Sequence, residues 1–135
     1  MTMQLDWLRG CATALVTPFA GDGSVDEKRL RDLIEYQIAG NVRVLVPCGT
    51  TGESVTMTEE ENKLVIRTTV ELSRGRAKVI AGTGSNSTAV TIQRSKAARE
   101  LGVDAVLTVA PYYNKPTQEG LYAHFRAIAE GVDGL

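Results

Sequence analysis

Residues 42–61 read VRVLVPCGTTGESVTMTEEE, and this stretch decides the fold. Residues 42–46 are apolar on both alternations apart from Arg43, as a parallel strand buried on two faces should be. The run carries on to Cys48. A polar turn follows at 49–54, in which two glycines flank two threonines. Thr58-Glu59-Glu60-Glu61 then reads as a capping box. The Thr58 hydroxyl can accept from an orphan N–H, and Glu61 can reach back to the cap. Three glutamates in the first turn also suit the positive end of a helix. Strand, polar turn and capped helix together make one βα unit.

The same unit recurs on both sides. Apolar runs fall at 12–17, 42–48, 77–83 and 104–111, and helical stretches at about 26–39, 59–74, 88–101 and 118–131. Strand starts recur about every 30 residues, the size of a βαβ repeat. Leu30, Leu33, Ile34, Gln37 and Ile38 lie at helical spacing, as do Leu64, Val65, Thr68 and Leu72, and Leu121, Phe125 and Ile128. Ser24 with Glu27 reads as a second capping box, and Ser87 and Thr117 as N-caps. Gly40, Gly75 and Gly102 follow helices where a left-handed residue is wanted. Alternating βα units imply a parallel sheet. It is either doubly wound, with helices on both faces, or singly wound in the order 1-2-3-4, which is half of an eight-stranded (β/α) barrel.

Composition removes several function classes. Fifteen basic and sixteen acidic residues give a charge of −1, with no basic run for nucleic acid or anionic lipid. No apolar run approaches a membrane span, and residues 1–10 lack a signal pattern. At 43% hydrophobic and 23% charged, the chain reads as one globular domain over 1–135. Cys11 and Cys48 are far apart and there is a single His, so neither a metal site nor a cofactor motif is expected, and free thiols in a cytoplasmic protein are.

Function should sit at the C-terminal ends of the strands. Gly49, Thr50, Thr51, Gly52, Glu53 and Ser54 form either a nest of donors for a small carboxylate or phosphate, or an ordinary turn using its own polar groups. The GTGSN run at 82–86 lacks both the dinucleotide and the P-loop spacing, and reads as a βα turn before an N-cap. Tyr112-Tyr113, between Pro111 and Pro116, can relay a proton, anchor an interface or pack over the barrel end. His124 reads as solvent-facing or helix-packing, and Lys115 as a solvated loop charge.

Four segments carry a family resemblance: ALVTPF (14–19), GTTGES (49–54), VIAGTGSNST (79–88) and LTVAPYYNKPTQEGLYAHFRAIAE (107–130). From about Gly10 onward the chain closely resembles the N-terminal half of the dihydrodipicolinate synthase family. That family belongs to the pyruvate-dependent class I aldolases, which include N-acetylneuraminate lyase. The resemblance implies a (βα)4 half of a barrel. It also implies a lyase that condenses pyruvate with L-aspartate semialdehyde through a Schiff base in lysine biosynthesis, without a cofactor. Thr50 would belong to a proton-relay triad and, with Gly49, help hold the pyruvate carboxylate, which Thr51 would bind through its hydroxyl and N–H. Tyr113 would be the relay tyrosine reaching a neighbouring subunit. Tyr112 would lie in that interface, with Ser54 and Asn86 in the region of lysine feedback. Val90 stands where lysine-sensitive members tend to carry an acidic residue. Glu59 and Asn62 stand where some carry His, so the resemblance does not extend to feedback itself.

The resemblance also places the Schiff-base lysine on a sixth strand. None of Lys28, Lys63, Lys78, Lys96 and Lys115 matches that position, so this chain alone is expected to be inactive without a C-terminal half. A half-barrel would further leave one sheet face bare and both edge strands unpaired. At ~25 cal/mol per Å², that face forfeits many kcal/mol. Self-association into a dimer or higher oligomer, or pairing with a separate C-terminal half-barrel, is expected. The alternatives are a non-enzymatic half-barrel that only self-associates, and half of another pyruvate lyase.

Overall fold

A computed structural model describes residues 6–132. The expectation about a leader in residues 1–10 falls partly outside the described residues. Strands β1 (Ala12–Ala14), β2 (Val44–Val46), β3 (Lys78–Gly82) and β4 (Ala105–Leu107) alternate with helices α1 (Glu27–Ala39), α2 (Glu59–Ser73), α3 (Thr88–Glu100) and α4 (Gln118–Gly131). All neighbouring strands are parallel and their order is β1-β2-β3-β4. A doubly wound sheet requires a reversal of strand order, so the fold is the singly wound (βα)4 half of a barrel. The ladders are shorter than the apolar runs, but the runs go on pairing beyond them. Leu15 N–H bonds Val46 O at 3.0 Å, Gly82 N–H bonds Pro47 O at 2.9 Å, and Thr83 N–H bonds Leu107 O at 3.1 Å.

Three N-caps form as their sequences predict. Thr58 and Glu61 close a reciprocal capping box, Glu61 N–H to Thr58 Oγ1 at 3.2 Å and Thr58 N–H to Glu61 Oε2 at 2.8 Å. Ser87 and Thr117 cap α3 and α4. The box expected at Ser24 does not form. Asp26 caps α1, accepting from Arg29 N–H at 3.0 Å, while the Ser24 hydroxyl and N–H both donate to Asp22 Oδ1. The 18–26 segment folds back on itself as a small hairpin, with a Phe19–Val25 bridge. That leaves Ser24 in the hairpin, and the nearer carboxylate takes the cap. Gly75 (φ 73°) and Gly102 (φ 90°) are left-handed as expected. After α1 the left-handed residue is Asn41 (φ 62°), and Gly40 is ordinary (φ −77°). Asparagine tolerates that region better than other side chains.

The helices cover one sheet face. Leu30 and Ile34 of α1, Val65 and Ile66 of α2 and Ala98 of α3 pack in one cluster with Leu15, Leu45, Val79 and Ala81. α3 is anchored differently from the others, by buried hydroxyls at helical spacing. Ser95 Oγ lies 2.8 Å from Thr83 Oγ1, and Thr91 Oγ1 accepts from Ser85 N–H at 3.0 Å. Paired in this way, buried hydroxyls carry no desolvation penalty. The opposite face has no helix layer, but it is bare only toward its edges. Val16 on the β1 side is 51% exposed and Leu107 of β4 is 46% exposed, whereas Val44 and Val46 on the central strand are buried. Flanking strands of a twisted sheet shield a central strand more than an edge one.

Candidate functional site

The end of β2 is built around a reversal of backbone hand. Cys48 adopts a left-handed conformation (φ 57°), Gly49 is extended (φ −73°, ψ −175°), and Thr50–Gly52 make one 3₁₀ turn closed by left-handed Glu53 (φ 57°). Gly52 N–H bonds Gly49 O at 3.0 Å and Glu53 N–H bonds Thr50 O at 3.1 Å. Both Thr50 and Thr51 are exposed, and no hydrogen bond among the described residues occupies their hydroxyls or N–H groups. Four donors at the end of a central strand are therefore without a partner among the described residues. From beneath, the buried Thr17 hydroxyl at the end of β1 donates to Gly52 O at 2.7 Å. Thr17 is a supporting residue that sequence patterning did not single out.

The glycines act through close approach more than through conformation. Gly49 is in an ordinary region, and a Cβ there would meet nothing within 4 Å. A Cβ on Gly52 would come to 3.0 Å from Leu15 O. On Gly82 it would lie 2.1 Å from Cys48 O, and on Gly84 2.8 Å from Val109 N. The GTG run at 82–84 is thus the seam where β3 meets the ends of β2 and β4, consistent with a βα turn and with no phosphate fingerprint. Cys48 beneath the turn is buried, which pushes its thiol up to about 12 despite the opposing pull of Arg94.

Ser54 lies in the segment after the turn, where its carbonyl accepts from Asn62 Nδ2 at 3.2 Å. The same amide reaches Thr58 O at 3.0 Å and Met57 O at 3.4 Å, so Asn62 ties down the loop between β2 and α2. Asn86 and the tyrosine loop are brought together, with Asn114 Nδ2 donating to Asn86 O at 3.3 Å. Tyr112 is 48% exposed. Tyr113 is left-handed (φ 68°) and 93% exposed, so its ring projects freely. No hydrogen bond among the described residues joins either tyrosine to Thr50 or Thr51. Lys115 is exposed in the same loop. His124, one of the two roles open to it, packs between helices and is buried. The described residues hold no group of three potential metal ligands, and no helix among them is long and apolar enough to cross a membrane.

Residues 7–135 of the chain match the Dihydrodipicolinate synthetase family. The chain belongs to that family. It is 56% identical over 127 residues to the 4-hydroxy-tetrahydrodipicolinate synthase of Koribacter versatilis, covering 93% of this chain and 42% of that protein. Among solved structures, it superposes on the chloride-inhibited dihydrodipicolinate synthase of Acinetobacter baumannii complexed with pyruvate with a TM-score of 0.90. The identity there is 50%, covering 92% of this chain and 43% of that one. The synthase of Cyanidioschyzon merolae with lysine bound matches with a TM-score of 0.86 at 43% identity, over 89% of this chain and 41% of that one. The chain therefore spans about two fifths of the length of the dihydrodipicolinate synthases it matches.

Proposed function

We propose that this chain supplies the first four βα units of a pyruvate-condensing lyase of the dihydrodipicolinate synthase type. The observation that carries this is the close match to a synthase complexed with pyruvate, together with the unoccupied donors of Thr50 and Thr51 at the end of β2. In this reading Thr51 binds the pyruvate carboxylate through its hydroxyl and N–H, with Gly49 and Thr50 completing the cradle. Uncharged donors suit a carboxylate that must stay in place while a neighbouring carbonyl carbon reacts. Thr50 and Tyr113 move the proton. The projecting ring of Tyr113 reaches a neighbouring subunit, and Tyr112 joins that contact. Ser54 and Asn86 lie in the region where lysine would act.

The covalent step needs an amine. A Schiff base forms when a lysine nitrogen attacks the pyruvate ketone and water leaves; the adjacent methyl group then gives up a proton to leave an enamine, the carbon nucleophile toward L-aspartate semialdehyde. None of the lysines among these 135 residues occupies that position in the family pattern. Hydroxyl groups cannot replace it, so the 135 residues condense pyruvate only when complemented by the rest of a barrel. The bare edges at Val16 and Leu107 support closure with such a half, or with a second copy. The test is borohydride trapping with pyruvate, read by intact mass. The isolated chain should take no adduct. Mixed with the C-terminal half of a related synthase, the adduct should appear on that half and turnover should follow. A pyruvate adduct on this chain alone overturns the proposal.

A further inference from the structure

We propose that His124 is a positioning residue for the Tyr112–Tyr113 loop, an inference that rests on the relay role given to Tyr113 above. His124 lies on α4, 4% exposed, and both its ring nitrogens are engaged. Nε2 lies 3.2 Å from Val109 O and Nδ1 lies 2.8 Å from Thr88 Oγ1. A backbone carbonyl can only accept, so Nε2 carries the proton. In the neutral ring Nδ1 then accepts from the Thr88 hydroxyl. One imidazole thereby joins the start of α3, the body of α4 and the end of the β4 run.

The placement of the Val109 contact gives the arrangement its consequence. Val109 lies two residues before Pro111, where the chain leaves the sheet for the tyrosines. The loop is otherwise thinly held. Tyr113 and Lys115 both have positive φ, at 68° and 46°. Among the described residues, the loop's other side-chain hydrogen bond is the exposed one from Asn114 Nδ2 to Asn86 O at 3.3 Å. The base is firmer. A Cβ on Gly131 of α4 would come within 3.1 Å of Ile92 of α3, so the two helices are closely packed. His124 therefore links a rigid helix pair to the departure point of a loop whose ring must be placed accurately. Any apolar residue of similar size could fill this space, but it could not hold the Val109 carbonyl.

The test compares His124→Phe, which fills the space and loses both bonds, with His124→Gln, whose side-chain amide can still donate to Val109 O. Thr88→Val removes only the second partner. Amide exchange over residues 110–116 is measured by mass spectrometry on the chain in its native assembly. His124→Phe should accelerate exchange there by about tenfold or more, with α2 unaffected, and His124→Gln should restore most of the protection. In the complemented, active assembly His124→Phe should lower kcat by about tenfold or more while leaving the KM for pyruvate within about twofold. Equal loop exchange in the parent and His124→Phe overturns the proposal, even if the melting temperature falls. Failure of Gln to differ from Phe overturns it equally. A Tyr113→Phe control that retains full turnover counts against the relay reading, while the exchange data still decide the positioning role.

Discussion

Replacing Gly82 by alanine tests how the pocket is supported. The new Cβ would sit 2.1 Å from Cys48 O, 2.5 Å from Cys48 C and 2.7 Å from Gly49 N. Ordinary contact begins near 3.4 Å, so one of the two backbones must retreat by roughly 1.3 Å. The obstacle is backbone, which cannot rotate away as a side chain can. The move also strains the bond from Gly82 N–H to Pro47 O, now 2.9 Å. Overpacking costs about 1–3 kcal/mol where neighbours can yield, so a cost at or above about 3 kcal/mol is expected here. That is a large part of the ~5–15 kcal/mol that holds a domain together. Gly49→Ala is the companion, because its Cβ meets nothing within 4 Å and its φ is −73°. It should shift stability by no more than about 0.5 kcal/mol. The assay is urea unfolding followed by circular dichroism, at one protein concentration, with the midpoint compared at unchanged slope. A Gly82→Ala midpoint equal to that of Gly49→Ala would refute the reasoning, because β2 and β3 could not then meet as closely as described.

Three further outcomes follow from local chemistry. Thr58→Ala should cost about 1 kcal/mol in the same urea assay by opening the capping box of α2, and an unchanged midpoint would show that the box adds nothing. Iodoacetamide at pH 8 should modify exposed Cys11 alone. Cys48, buried and pushed up to about 12, keeps only about one thiolate in ten thousand. Peptide mapping that finds Cys48 modified before unfolding would contradict its burial. The hydrogen bond from Arg76 holds the Glu35 carboxyl below its ordinary 4.5. A carboxylate depressed in the folded state contributes stability above 4.5 and loses it as the pH falls through its lower folded value. Arg76→Gln should therefore flatten the acid limb of a melting-temperature profile below pH 4.5, by an amount kept small by exposure.

Much of the architecture was legible because it is written in short-range patterns. The Thr58–Glu61 box, the caps at Ser87 and Thr117 and the left-handed Gly75 and Gly102 each involve a few adjacent residues. Where a local signal competed with another, patterning failed. Ser24 lost its cap to Asp26 once the 18–26 segment folded on itself, and Asn41 took the place expected for Gly40. The site's location at the strand ends was equally legible. Its support was not, since Thr17 bonds Gly52 across 35 residues and Gly82 packs on Cys48 across 34. A hydroxyl stripe at Thr91 and Ser95, four residues apart on α3, was a usable signal that apolar periodicity passes over.

By itself the sequence determined the alternation of strand and helix, the position of the helix starts and the chemical character of the strand ends. Hydrogen bonding and burial act there over one turn or one strand. Only the tertiary structure decided between two ways of winding the sheet, and showed that the uncovered face is most exposed on its edge strands, at Ala12, Ala14 and Val16 on one side and Leu107 on the other. It also buried His124 between two helices and made close approach at Gly82 the reason for glycine. These depend on which distant segments become neighbours, and a βα unit carries the same periodicity whichever side of the sheet its helix covers.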